Sequence, residues 1–334
     1  MAKLFVFGIG GTGSRVIKSL TMLLASGIKT NFEIVPILID PDSAGGDLNR
    51  TIRLLKDYQS IQKEVDGYEQ NTFFKNKLST LGEIASDNAD NAKIYSGFRF
   101  DIEGTQNDTF KDFIDFNSLD AGNKNLIRLL FSEKNLASDL QVGFKGNPNI
   151  GSVVLNQFTN SEVFQAFADS VQEDDRIFIV SSIFGGTGAA GFPLLLKNIR
   201  QGHINGKYYK NLKNAKVGGL TVLPYFKVQH DEESQIDSHG FITKTKAALN
   251  YYCRNISGNH SINALYYIGD TAENTYSNVE GGTKQKNDAH FIEIASALSV
   301  IDFATIQDDK LRTNQDGTVS NTCLLYTSPS PRDA

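Results

Sequence analysis

The chain has 334 residues, of which 40% are hydrophobic and 21% charged, with 22 Phe and 12 Tyr. That is enough apolar material for a sizeable core, and it excludes wholesale disorder. A formal net charge of −5, with no Lys/Arg cluster, argues against direct contact with nucleic acid or an anionic membrane.

No apolar run approaches the ~18 residues of a membrane span. The N-terminal MAKLFVFGIGG lacks a small-residue cleavage site and reads as a buried strand. Two cysteines make neither a disulfide framework nor a four-ligand zinc site, and their scarcity fits a reducing cytoplasm.

In chain order, residues 3–9 predict a buried strand ending in glycines. The spacing of Val16, Ile17, Leu20, Leu23 and Leu24 predicts a helix from Ser14 to Ser26. Residues 32–39 predict a second strand ending at Asp40-Pro41-Asp42, which completes a parallel βαβ crossover. Leu48, Ile52, Leu55 and Tyr58 mark an amphipathic helix. Residues 93–103 alternate like a strand, and a helix is expected near 123–140. Ser161 is placed to cap a helix running to Ser170.

Residues 176–184 form the clearest buried strand, followed by GGTGAAG and a helix from about Gly191 to Arg200. Residues 216–226 and 262–268 predict further strands, with a helix over 241–254 between them. Phe291, Ile294, Ala295, Leu298 and Ile301 share one face of a long helix from Asn287 to about Ile306. Alternating strands and helices define an α/β protein, a Rossmann-like parallel sheet with helices on both faces.

Two glycine turns carry the chemistry. Gly8-Ile9-Gly10-Gly11-Thr12-Gly13-Ser14 follows a strand and opens a helix. Glycines let the backbone approach a phosphate, and the freed amides and helix dipole attract the anion. The turn matches G-x-G-x-x-G, and Asp40 stands where a dinucleotide-binding fold places its ribose acid. No Gly-Lys-Ser/Thr follows, so it is not a Walker loop. The second turn, Gly185-Gly186-Thr187-Gly188-Ala189-Ala190-Gly191, also lies between strand and helix. Two such turns at the carboxyl ends of parallel strands can grip a chain of phosphates from two sides.

The second turn resembles the tubulin/FtsZ signature, and other pieces follow in the same order. Gly146-Asn147-Pro148-Asn149-Ile150-Gly151 resembles the G-N-P-x-x-G loop of FtsZ. Pro224-Tyr225-Phe226 and the strand Leu265–Ile268 with Gly269-Asp270 resemble later segments of that fold. The match covers most of residues 3–307 and is closer to divergent bacterial tubulin-like proteins than to division FtsZ.

The resemblance implies GTP or GDP with Mg²⁺, self-assembly into head-to-tail filaments, and GTP hydrolysis at subunit junctions. It implies phosphates on the amides of Gly10, Gly11, Thr12, Gly13 and Ser14, and of Gly185, Gly186, Thr187, Gly188 and Ala189. Gly146 and Asn147 would close on the terminal phosphate, and Asn287 and Asp288 would meet the guanine. The organisation it implies is a nucleotide-binding domain over 1–307 with an insertion at about 44–145. The start of a truncated C-terminal region over 308–322 follows. Residues 323–334, CLLYTSPSPRDA, resemble translated read-through of a sequencing-library adapter.

Departures accompany the match. Phe184 stands at a position usually small in the signature, and Ala190 replaces its final glycine. The acidic loop that completes hydrolysis in this family would fall near or beyond residue 308, where Asp308 and Asp309 are candidates weighed against plain solvated acids. No catalytic residue is assigned.

A second resemblance stays open. Gly8–Ser14 with Asp40-Pro41-Asp42 and Leu48-Asn49-Arg50 is similar to ThiF-type and ubiquitin-activating adenylating enzymes. It implies ATP, with Asp40 on the ribose and Asn49 and Arg50 on phosphates. The absence of a CxxC pair and the second glycine turn stand against it. A Rossmann oxidoreductase using NAD or FAD is the third reading.

The five histidines show no metal-binding spacing. Asp231-Glu232-Glu233 reads as a solvated run with a chance role at ribose or base. Ser181 and Ser182 lack a nucleophile elbow. Cys253 reads as a buried helix residue.

Overall fold

The computed structural model describes residues 1–68, 70–85, 96–102, 104–105, 109–230, 238–278, 282, 288–314, 316–319 and 324–327. Its centre is a parallel sheet built from β1 (Lys3–Ile9), β2 (Glu33–Ile39), β3 (Arg99–Phe100), β4 (Arg176–Ser182), β7 (Lys216–Val222), β9 (Ala264–Ile268) and β11 (Leu324–Thr327). The order across the sheet is β11-β9-β7-β4-β1-β2-β3. Two small pairs stand apart: β5 (His203–Ile204) with β6 (Lys207–Tyr208), and β8 (Lys227–Val228) with β10 (Thr275–Tyr276). Among the described residues no helix is long and apolar enough to cross a membrane.

The helices that matter for the site are α1 (Gly10–Ala25), α2 (Gly46–Val65), α3 (Ala121–Leu130), α4 (Pro148–Leu155), α5 (Glu162–Ser170), α6 (Gly186–Gln201), α7 (Ser238–Tyr252) and α8 (Phe291–Thr305). β1, β2 and β4 are buried along their whole length, as strands covered on both faces must be. Strand alternation shows which helix covers which face. A Cβ at Gly218 would meet Phe303 of α8, whereas one at its neighbour Gly219 would meet Phe192 of α6. Hence α1 and α8, which pack together, cover one face, and α6 with α4 covers the other.

Several expectations shift. α1 and α6 begin at Gly10 and Gly186, within the glycine turns rather than after them. The turns are therefore the first turns of the helices, and Pro193 sits inside α6. The helix expected near 123–140 ends at Leu130 and gives way to a short turn, Glu133–Leu136, capped by Ser132. Within 44–145, α2 packs on α1 and β3 pairs with β2, so this region is woven into the sheet edge.

Cys253 is exposed, not buried. The neighbouring Tyr252 takes the inward position and stacks on Phe192 at 5.3 Å. Successive helical residues point about 100° apart, so burying one turns the next outward. The face of α8 picked out by spacing is also the outward one. Phe291 is 73% exposed and Leu298 45%, while Ile292, Val300 and Phe303 face the core. A helix apolar around most of its circumference carries no periodic signal that selects one face.

Leu324–Thr327 runs parallel beside β9, Leu324 opposite Ala264 and Thr327 opposite Tyr267. Asp231, Glu232, Glu233 and Asn287, singled out in the sequence, lie outside the described residues.

Candidate nucleotide cleft

From β1 the chain moves one way across the sheet to β2 and β3, and later the other way from β4 to β7 and β9. The order therefore reverses between β1 and β4, which pair directly, with Gly8 opposite Val180. Crevices at such switch points, outside the carboxyl ends of strands, receive ligands in open α/β sheets. Because the two strands are adjacent and in register, the turns that follow them must be neighbours. A Cβ on Gly10 would lie 3.4 Å from the Thr187 Cβ. Gly10 itself has φ +72°, a conformation that costs any other L-residue about 1–2 kcal/mol.

Above this point lies a cleft of about 400 Å³. Its floor is Gly10, Gly11 and Thr12 from one turn and Gly185, Gly186, Thr187 and Gly188 from the other. Gly146 enters from a third side, where a Cβ on Gly186 would come within 3.1 Å of the Gly146 amide nitrogen. Asp40, Asp42 and Asp47 line a fourth.

Nine of the residues predicted from sequence thus share one cleft: Gly10, Gly11, Thr12, Asp40, Gly146, Gly185, Gly186, Thr187 and Gly188. Others stand behind it. Gly13 packs against the Gly8 backbone, where a Cβ would be 2.5 Å away. Ser14 is fully buried. Asn147 lies beneath Gly186, and Ala189 lines a separate groove. Asp288 does not line the cleft, and its carbonyl accepts from Arg15 Nη2 at 2.8 Å.

Helix termini explain why the cleft attracts anions. The first amides of a helix have no partner within it. At several other helices a side chain supplies one: Thr80 accepts from the Glu83 amide and Ser161 from the Phe164 amide. At α1, α2, α4 and α6 the capping positions are Ile9, Gly45, Asn147 and Gly185, and none makes a side-chain cap. α4 opens with Pro148, which has no amide proton and lines a separate groove. The other three starts, those of α1, α2 and α6, border the cleft with donors no side chain fills. Their dipoles add to the attraction.

Charged residues missed by the sequence reading sharpen this picture. Arg15 lines the cleft while its guanidinium contacts the Glu293 carboxylate of α8. Burial holds the Glu293 carboxyl above its ordinary value, although the Arg15 contact opposes the rise; Arg15 stays protonated. Lys145 adds a second cation beside Gly146. Their only sequence signals were a charge inside an otherwise apolar helical repeat and a lysine next to a glycine.

Burial pushes the Asp40 carboxyl up to about 7, against a hydrogen bond from the Asp42 amide at 3.1 Å. Asp42 Oδ2 accepts from the Gly282 amide, whereas its buried Oδ1 has no partner among the described residues. Phe226, Phe241 and Tyr276 form an aromatic wall, with Phe184 packed on Phe241 at 4.9 Å between ring centres.

The remaining candidates are structural. Asp308 bonds Arg176 Nη2 at 2.8 Å and Lys216 Nζ at 2.7 Å, far from the cleft. Partial burial opposes its ionisation, but these two cations prevail and hold the carboxyl below its ordinary value. His290 Nδ1 accepts from the Ile292 amide and so caps α8. Asn49 donates to the Ser43 and Gly45 carbonyls and Arg50 pairs with Asp47; neither lines the cleft. Among the described residues no cluster of three His, Cys, Asp or Glu can hold a metal ion.

Fold and cleft together define an α/β protein with an anion-receptive crevice at its switch point. No family model and no curated protein matches the sequence. Solved structures similar to the chain include CetZ2 from Haloferax volcanii as a GTPγS-bound protofilament. That pair is 13% identical, with a TM-score of 0.41 over 90% of this chain and 58% of the other. CetZ1 from the same organism, a GDP-bound monomer, is 15% identical with a TM-score of 0.40, over 92% and 61%. TubZ from Bacillus thuringiensis, a GTPγS-form protofilament, is 12% identical with a TM-score of 0.31, over 90% and 54%. The chain spans little more than half the length of these proteins. At this divergence the likeness assigns no residue a role.

Proposed function

We propose that the chain binds GTP in this cleft as a tubulin/FtsZ-like protein of the cytoplasm, assembling with itself head-to-tail into filaments and hydrolysing GTP at subunit junctions. The observation that carries the reading is the convergence of both glycine turns and the Gly146 loop on a single crevice. In this reading the uncapped amides of α1 and α6 hold the phosphates, with the Gly146 loop beside them and Arg15 and Lys145 as full charges nearby. The ring wall of Phe226 and Tyr276 offers a stacking surface for a base.

Oxygen donors suit magnesium. Asp42, with its unpartnered Oδ1, is the residue fitted to meet an ion arriving with the nucleotide. Bound there, the ion would neutralise phosphate charge. A repeated heterologous contact gives an open filament rather than a closed ring. Hydrolysis of this kind proceeds by positioning and charge stabilisation. Asp308, held by Arg176 and Lys216, acts as a strut in this reading, and no catalytic acid is assigned.

Equilibrium binding of labelled GTP and ATP to the purified chain tests the proposal, with GTP expected to bind and to be preferred. ATP preference with pyrophosphate exchange would favour an adenylating enzyme, a reading weakened by Asn49 and Arg50 lying off the cleft. A dinucleotide co-purifying by absorbance would favour an oxidoreductase. Light scattering that stays flat with GTP and magnesium would remove the filament part.

A further inference from the structure

A second cavity, about 490 Å³, lies between α4, α6 and α7 on the other side of the Phe184–Gly185 turn. Pro148, Phe184, Leu194, Ala248 and Tyr251 give it an apolar lining. Lys197 and Lys244 bring two positive charges to its wall, and among the described residues no Asp or Glu lines it. That is a local excess of cation in a chain whose formal net charge is −5. The volume falls within the ~300–1,000 Å³ typical of small-molecule sites.

We propose that this groove binds a small aromatic or alicyclic monoanion, and that the occupant acts on the nucleotide cleft next to it. The apolar walls take the ring, and the lysines take the anionic group.

The path between the two cavities is short. Phe184 and Gly185 line both. Lys244 Nζ donates to the Gly146 carbonyl at 2.7 Å, and Gly146 lines the cleft. An anion drawing the Lys244 ammonium into the groove competes with that bond and loosens the Gly146 loop. Phe184 is the residue at which the sequence departs from the small side chain of the tubulin/FtsZ signature. Its ring packs on Phe226 and Phe241 of the cleft wall, so displacement on one side moves the other. By linkage, a change in nucleotide affinity caused by the groove ligand is matched by the reverse effect. The coupling rests on the GTP reading; the groove itself does not.

The test uses the full chain and anilinonaphthalene sulfonate, an anionic aromatic probe, first without nucleotide. Saturable binding at one site per chain is expected. Ala247→Trp, which fills the groove from an exposed position, should abolish it, and Lys197→Glu should weaken it about tenfold. Both variants should melt with the wild type, since both side chains are exposed. The uncharged analogue N-phenylnaphthylamine should bind about tenfold more weakly than the sulfonate.

Probe binding unchanged in both variants overturns the site, because the probe then sits on exposed apolar surface such as Leu129 or Phe291. Equal affinity for the uncharged analogue overturns the anionic ligand. Probe binding that falls as protein concentration rises, with a dimer by sedimentation, would give the groove to a second copy instead. With the probe saturating, labelled GTP should bind at least about fivefold more weakly. Unchanged GTP affinity with the probe bound overturns the coupling, and no GTP binding at all overturns the nucleotide reading while leaving the groove result intact.

Discussion

Replacing Gly11 with alanine separates a turn that holds phosphate from one that is merely tight. Gly11 is the second residue of α1 and lines the cleft, and an added Cβ would meet nothing within 4 Å. Its φ is not in the left-handed region, unlike that of Gly10. Within a helix alanine is favoured over glycine by up to ~1 kcal/mol. Gly11→Ala is therefore expected to melt at the wild-type temperature or up to about 2–4 °C higher.

The same methyl enters the open space above the Gly10–Thr12 amides, where the reading puts a phosphate. Losing one charge-assisted hydrogen bond costs about 1.5–3 kcal/mol. At about 1.4 kcal/mol per decade, that is a tenfold to hundredfold loss of affinity. Differential scanning fluorimetry and equilibrium binding of labelled GTP read the two effects separately. A purely structural glycine would give the opposite pattern, with stability lost and binding affected only through it. GTP affinity within twofold of wild type, at equal or higher stability, would refute the assignment of this turn to phosphate. Gly13→Ala is the contrast: its Cβ would strike the Gly8 backbone at 2.5 Å, so this variant should lose stability first.

Asp40 gives a pH signature. Its folded value of about 7 exceeds the ~3.9 of an unfolded aspartate, so the folded state binds the proton more tightly. The contribution is fully present below about pH 4 and is lost as pH rises through about 7. Asp40→Asn should flatten that fall in denaturant midpoint, and a wild-type midpoint constant across the window would contradict it.

Arg15→Met leaves Glu293 buried without its partner and should cost about 3–5 kcal/mol by urea unfolding. Adding Glu293→Gln should recover much of the loss, and purely additive losses would argue against the pair. Asp308→Ala removes a carboxylate that is 64% exposed, so its two ion pairs should yield at most about 1 kcal/mol. GTP turnover in this variant should match the wild type, and a tenfold fall would return Asp308 to the list of catalytic acids.

The sequence by itself determined the local pieces. Apolar runs at 3–9, 32–39 and 176–184 read as strands buried on both faces, and the glycines directly after the first and the last read as turns into helices. It also marked nine residues that line the cleft, six of them glycines, because glycine at a close backbone approach has few substitutes. It did not decide which face of α8 is buried, since that helix is apolar nearly all round.

Only the tertiary structure brought β1 beside β4, strands separated by more than a hundred residues of chain, and so set the two turns against each other. Arg15, Lys145, Phe226 and Tyr276 then reached the same crevice from four separate stretches of chain. A turn is specified by its own few residues, whereas such convergence depends on strand order and register, which no local pattern records.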